Sequence, residues 1–338
     1  MILTLPVEQN NKKMEIDLFD VMKNVFCQVY FVVKSHKYTV NRGSSMSSIV
    51  QTESKIFLPF LHKSHIIENI EILKNYVEQE SGKKFPLGVT LKEKYFEAIN
   101  YIQDVPVPYS NEKIHVTYFD KTLQNKLLSL GMIDKEDLEN DKHIYSQQEQ
   151  EVITDRIEKA LKLIKVLHND LYDLINTLIG TFLILKKDLF GGGSVSNVMG
   201  LVWLNPQSDW SIIEYAEAIY HEFIHQSIFL DDMINCMFPN ANECAKEEAL
   251  VTSTILKIKR PLDRAYHAAG VSIGIMHLYH LFNDSKNSEK YMDDLRKTVE
   301  EIEARTQFLG EQGVKTLEIM RKFINHPSFD DITYSLQN

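Results

Sequence analysis

Apolar residues recur at helical spacing along much of the chain. Over residues 14–34, Ile16, Phe19, Val21, Val25, Phe26 and Val29 predict a helix. A polar stretch follows, with Arg42-Gly43-Ser44-Ser45 and Ser47-Ser48, and reads as a loop. Residues 65–80 carry Ile66, Ile67, Ile70, Leu73 and Val77 on one helical face. Residues 81–118 change character: Val105-Pro106-Val107-Pro108 and His115-Val116-Thr117-Tyr118 suggest extended segments and turns. Residues 134–146 are polar and expected on the surface. From Gln147 to Leu189 the pattern is helical again, until Gly191-Gly192-Gly193-Ser194 breaks it.

Val198–Leu204 then reads as a short buried strand ending at Asn205-Pro206. Asp209 or Ser211 can cap the helix after it. Further helices are predicted over 243–256 and 262–283, with Pro261 placed to start the second. A charged amphipathic pair is predicted over 288–325, broken near Gly310 and Gly313. The expected fold is mainly α (α+β), a helical protein with a small sheet beside one chemistry-bearing helix. The provisional division is an N-terminal helical or mixed region, 1–145, and a metal-binding helical domain, 146–338.

Composition narrows the function. The chain has 338 residues, 44% hydrophobic and 25% charged, which suits a globular protein with a sizeable core. A net charge of −10 repels phosphate backbones, so nucleic acid is not an expected partner. The three cysteines, Cys27, Cys236 and Cys244, make neither a disulfide framework nor a CxxC zinc site. No run of apolar residues approaches the roughly 20 needed to span a bilayer, and the N-terminus lacks a secretory signature. A cytoplasmic protein with no membrane partner is expected.

The chemistry concentrates in His221-Glu222-Phe223-Ile224-His225. Residues four apart on a helix differ by about 40° in direction, so both imidazoles can face one ion. Neutral imidazole suits zinc, iron, copper and nickel. Glu222, turned by about 100° from His221, can reach a metal-bound water, as in zinc proteases where it acts as general base. The structural alternative is a pair of core histidines satisfied by carboxylates or carbonyls. A third ligand is needed. The extended form HExxHxxGxxH fails, with Ile228 and Asp231 at its last two fixed places. Glu243, Glu247 and Glu248 are candidates, and each is also a candidate for a solvated face. His267 competes with them, set among Ala265, Ala268, Ala269 and Gly270. His277 and His280 share its helix, but they are turned from it by about 80° and 140° and read as packing or surface residues. His36, His62, His65 and His115 show no ligand spacing.

Several segments together resemble a known family: Gly200-Leu201-Val202-Trp203-Leu204-Asn205-Pro206, the His-Glu motif, Ser253, Arg260-Pro261-Leu262 and His267-Ala268-Ala269. They look like the HExxH-type 2-oxoglutarate-dependent peptide β-hydroxylases, which occur with ribosomal peptide natural-product pathways. The resemblance covers about residues 190–285. It departs at Thr254, where a proline commonly follows the serine, and at Asp263, where a glycine follows Arg-Pro-Leu.

The resemblance implies iron(II) held by His221, His225 and His267. It gives Arg260 to the distal carboxylate of 2-oxoglutarate, a task a guanidinium suits because it bonds carboxylates bidentately. Ser253 would assist the co-substrate or order its loop. Glu222 would then orient a ligand rather than move a proton. The implied activity is hydroxylation of an unactivated carbon in a peptide, a carrier-tethered amino acid or a small molecule. The alternative is a zinc metallopeptidase, with Glu222 as general base, a downstream glutamate as third ligand, and the strand Val198–Leu204 pairing with an extended substrate. The first half of the chain is left to substrate binding or to a homodimer contact.

Overall fold

The computed structural model describes residues 56–187 and 191–338. The helix expected over 14–34, the loop after it, Cys27 and His36 lie outside the described residues. The protein is mainly helical with a small sheet, as expected. Helices and strands are numbered here in chain order within the described residues.

The first helices carry their own start signals. α1 (Lys63–Ser81) begins where the His62 ring accepts from the His65 amide. α2 (Leu91–Ile102) opens with a reciprocal cap between Thr90 and Glu93. It occupies a stretch expected to be extended, and that Thr-x-x-Glu spacing was its sequence signal. β1 (His115–Thr117) follows, then the short helices α3 (Lys121–Ser129) and α4 (Lys135–Leu138).

The single helix expected over Gln147–Leu189 is instead three elements. α5 (Gln147–Leu167) ends at His168, whose Nδ1 accepts from the Leu171 amide and starts α6 (Asn169–Leu178). β2 (Thr181–Ile184) comes next. A wholly buried apolar run of four has no periodicity to tell helix from strand, and the sheet decides it.

β2 runs parallel to β1 and to β4 (Leu201–Leu204), while β3 (Gly192–Gly193) lies antiparallel on the far edge of β4, in the order β1-β2-β4-β3. The strand expected over Val198–Leu204 is therefore shorter. Its last two residues are also paired on both sides, so β4 offers no free edge there for an extended peptide. Gly192 has φ +146°, and a Cβ there would meet the Trp203 carbonyl oxygen at 2.5 Å. Only glycine allows β3 to lie this close to β4.

α7 (Ile212–Asn235) is capped by Ser211 and Glu214 and carries the His-Glu motif. Most of its side chains are buried, because it packs against α1, α5, α6 and α9 (Leu262–Leu281). The helix expected over 243–256 is absent. That stretch holds the short α8 (Ala241–Cys244), then β5 (Val251–Thr252), which forms an antiparallel ribbon with β6 (Lys259–Arg260). α10 (Met292–Glu303), α11 (Glu311–Asn325) and α12 (Phe329–Gln337) complete the chain, with the expected break at Gly310.

One apolar core joins residues from Ile56 to Leu336. The sheet crosses residue 145, since β1 from before it pairs with β2 from after it. Among the described residues no helix is long and apolar enough to cross a membrane.

The α7–α9 contact depends on two glycines. A Cβ at Gly270 would lie 2.9 Å from Ile228 Cδ1, and one at Gly274 would lie 2.0 Å from Ile224 Cδ1. They stand three and seven residues after His267, on the same helical face. Gly274→Ala is expected to cost about 1–3 kcal/mol through overpacking, against a gain of about 1 kcal/mol in helix propensity. Ile224→Val, which removes the offending methyl, should restore most of the loss in the double variant. Thermal unfolding of the four proteins measures the coupling; additive losses would refute the contact.

A second histidine cluster is structural. His277 is fully buried, with Tyr220 Oη 3.0 Å from Nδ1 and Thr333 Oγ1 3.0 Å from Nε2. Burial pushes its pKa down to about 3, and the charges of His168 and His280 add to the effect. The unfolded chain therefore binds a proton near pH 6.5 that the fold refuses. This contribution to stability is present above pH 6.5 and declines as pH falls toward 3, by about 2–3 kcal/mol at pH 4.5. His277→Gln should flatten the stability–pH slope between pH 6.5 and 4.5 by about one proton in denaturant titrations. An unchanged slope would show that His277 titrates freely in the fold.

Candidate metal centre

α7 presents His221 and His225 one turn apart, and their Nε2 atoms stand 3.1 Å apart. Two nitrogens on one ion, each at about 2.1 Å and subtending about 90–110°, are separated by roughly 3.0–3.4 Å. The spacing therefore suits a shared ion. Burial holds the His221 pKa down to about 4 and the His225 pKa well below its usual value, with neighbouring His221, His267 and Arg260 charges adding to the latter. Both rings are thus neutral, the form that binds a metal.

His267 is brought to the same place. α9 packs closely on α7, and the His267 ring lies on that of His225, centroids 5.1 Å apart and planes 24° apart. Phe229 and Phe238 wall its other sides, at 4.8 and 6.1 Å between ring centroids. The contact between the two histidines is Nδ1 to Nδ1, 2.9 Å. His225 thus offers Nε2 to His221 and its opposite nitrogen to His267. The three rings form a hydrogen-bonded chain and do not converge on one point. Among the described residues no group of three or more His, Cys, Asp or Glu side chains stands ready around a single ion. The donor set fits a metal at two nitrogens. His267 can be the third ligand after a turn of a ring, or, as it stands, the acceptor that orients His225, since metal-bound histidines use their second nitrogen this way.

Glu222 is buried beside the pair, with Oε1 3.8 Å from His221 Nε2 and Oε2 accepting from Ser194 Oγ at 2.7 Å. Burial raises its pKa to about 7, and the Ser194 hydrogen bond pulls the other way. Ser194 reaches it because β3 carries the glycine loop alongside α7. The sequence reading took that loop only as a helix break and missed Ser194. It also missed Gln226, which follows the motif: its amide accepts from the Gly200 amide at 2.8 Å and donates to the Leu201 carbonyl at 3.1 Å. This ties α7 to the start of β4. A glutamine directly after the second histidine, in an otherwise apolar helical stretch, was the available signal.

The remaining candidates separate clearly. Arg260, half-buried on β6, lies near enough for its charge to act on His225. Burial lowers its own pKa, as does Arg264, while Asp263 offsets this. Ser253 is buried, and its groups serve the β5–β6 turn: its amide bonds the Ile258 carbonyl at 2.9 Å, and its carbonyl accepts from Lys257 at 2.9 Å. These bonds close the turn that leads to Arg260. Glu247 and Glu248 are exposed, and Glu243 pairs with Lys246 at 2.6 Å. These carboxylates are on the surface because their stretch is a short helix and turn, not the long helix expected. Asp231, at the place of the last ligand in the extended motif, instead bonds His65 at 2.8 Å and Asn235 at 2.7 Å.

No protein-family model matches the chain, and no curated protein matches it.

Metal content of anaerobically loaded protein checks the set. His221→Ala and His225→Ala should each abolish stoichiometric iron(II) binding, and replacing Glu243, Glu247 and Glu248 together by Gln should leave it intact. Loss of iron in His267→Ala as complete as in His225→Ala makes His267 a ligand. A weakening of only about 10–100-fold makes it the orienting partner.

Proposed function

We propose that the protein is an iron(II)- and 2-oxoglutarate-dependent oxygenase that hydroxylates an unactivated carbon of a peptide, carrier-tethered amino acid or small molecule. A natural-product pathway and a cytoplasmic location belong to the same reading. The observation that carries it is the company His225 keeps. His267 touches it and Arg260 acts on it electrostatically, whereas the three glutamates that a peptidase would recruit lie at the surface.

His221 and His225, with His267, would hold the iron. When bound, iron(II) would supply the oxidising chemistry with 2-oxoglutarate and molecular oxygen as co-reactants: one oxygen atom would leave in succinate as carbon dioxide is released, and the other would enter the substrate's C–H bond. The protein's part is to place and shield. Arg260 pairs with the distal carboxylate of the co-substrate, where its partial burial strengthens the bond. The β5–β6 turn, ordered by Ser253, fixes the arginine. Phe229 and Phe238 keep water from His267 and His225. Glu222, held by Ser194, orients the His221 side of the site.

A second reading keeps support from Glu222. A carboxyl group buried 3.8 Å from a histidine nitrogen, with a pKa near 7, would suit a general base for hydrolysis at zinc. The readings part on products. Anaerobic reconstitution with iron(II), then 2-oxoglutarate and oxygen, should yield succinate. Arg260→Ala should raise the KM for 2-oxoglutarate by about 10-fold or more, with iron content unchanged. Peptide cleavage with zinc, and no succinate with any peptide or amino acid, would replace the oxygenase by the hydrolase.

A further inference from the structure

A cleft of about 480 Å³ opens at the N-terminal end of the motif helix, and none of the three histidines lines it. Its floor is the chain leaving the parallel strands: Lys186 and Lys187 after β2, and Asn205 to Ser208 after β4. One wall is a face of α5 carrying Glu149, Ile153 and Arg156, and the first turn of α7 adds Tyr215. The crevice beyond the carboxyl ends of parallel strands is where open sheets commonly bind ligands, because the loops there vary while the strands hold them rigid. Its size is in the range of small-molecule sites.

The charges in the cleft are unequal in kind. Lys187 is bonded to Asp137 at 2.8 Å and Asp134 at 3.1 Å. Lys186 is bonded to both oxygens of Glu149, at 3.0 and 3.1 Å, and lies over the Tyr145 ring. Arg156 differs. Its Nη1 donates to the carbonyls of Ser208 and Trp210 at 3.0 Å each, which fixes the guanidinium, and the Tyr215 hydroxyl lies beside it. Among the described residues no carboxylate pairs with it. It is a positive charge held rigidly by neutral groups, and a guanidinium so held is preorganised for a carboxylate. Val152, Ile153 and Pro206 add an apolar surface alongside. One uncompensated positive charge matches a monoanion better than a phosphate dianion.

We propose that this cleft binds an organic monocarboxylate the size of an acylated amino acid, with its carboxylate on Arg156 and its apolar body against Val152, Ile153 and Pro206. The site is separate from the metal centre and does not depend on the oxygenase reading.

Calorimetric titration of the whole protein with N-benzoylglycine and with its primary amide tests this. The acid should bind with a Kd below about 10 mM, and the amide at least about tenfold more weakly, the usual worth of a charge-assisted hydrogen bond. Arg156→Gln should bring the acid to the level of the amide. His221→Ala/His225→Ala should leave the acid's affinity unchanged, and inorganic phosphate should not compete. The acid–amide comparison uses the unaltered protein, so it holds even if Arg156→Gln loosens the 208–210 loop. No binding of the acid, equal binding of acid and amide, a preference that survives Arg156→Gln, loss of binding in the double histidine variant, or displacement by phosphate would each overturn the assignment.

Discussion

The close approach of α7 and α9 is the constraint on which the candidate metal centre depends. His225 belongs to one helix and His267 to the other, 42 residues later. Their rings meet because Gly270 and Gly274 have no Cβ to hold the helices apart at Ile228 and Ile224. Dispersion and apolar burial along that seam are what hold the three imidazoles in contact, an arrangement with little intrinsic stability of its own. Gln226 and Ser194 attach the opposite face of α7 to the sheet, so the motif helix is held from two sides.

Burial then sets the chemistry. Burial keeps His221 and His225 neutral and favours the protonated form of Glu222. A metal cation reverses that balance, since it favours both lone-pair donors and a nearby carboxylate. The bond between the Nδ1 atoms of His225 and His267 links the two rings through the His225 nitrogen that faces away from His221. The same protein buries His277 with no such purpose: Tyr220 and Thr333 satisfy it, and it serves packing. Burial and a lowered pKa alone therefore do not mark a site. Proximity to a second and third donor does.

The sheet organises the molecule around α7. β2 and β4 are buried on both faces, and their pairing places the glycine loop with Ser194 along the motif helix and the Arg156 cleft at its N-terminal end. The two regions are thus carried by a single helix: the cleft reaches its first turn through Tyr215, and the histidines begin six residues further on.

The sequence by itself determined the helical character, the motif helix, the Pro261 start of α9 and the pairing of His221 with His225. These follow from periodicity and spacing within one segment, which are local. It also placed His267 and Arg260 among the candidates, though through a resemblance and not through geometry. Only the tertiary structure decided that His267 reaches His225 and that Glu243, Glu247 and Glu248 do not. It also showed that Ser194 and Gln226 hold the helix and that β4 is an inner strand. Those facts depend on which surfaces touch across dozens of residues, and a chain's local pattern carries no record of that. The stretch 243–256 shows the limit: its composition allows a helix, but its pairing as β5 with β6 overrides that preference and leaves the glutamates at the surface.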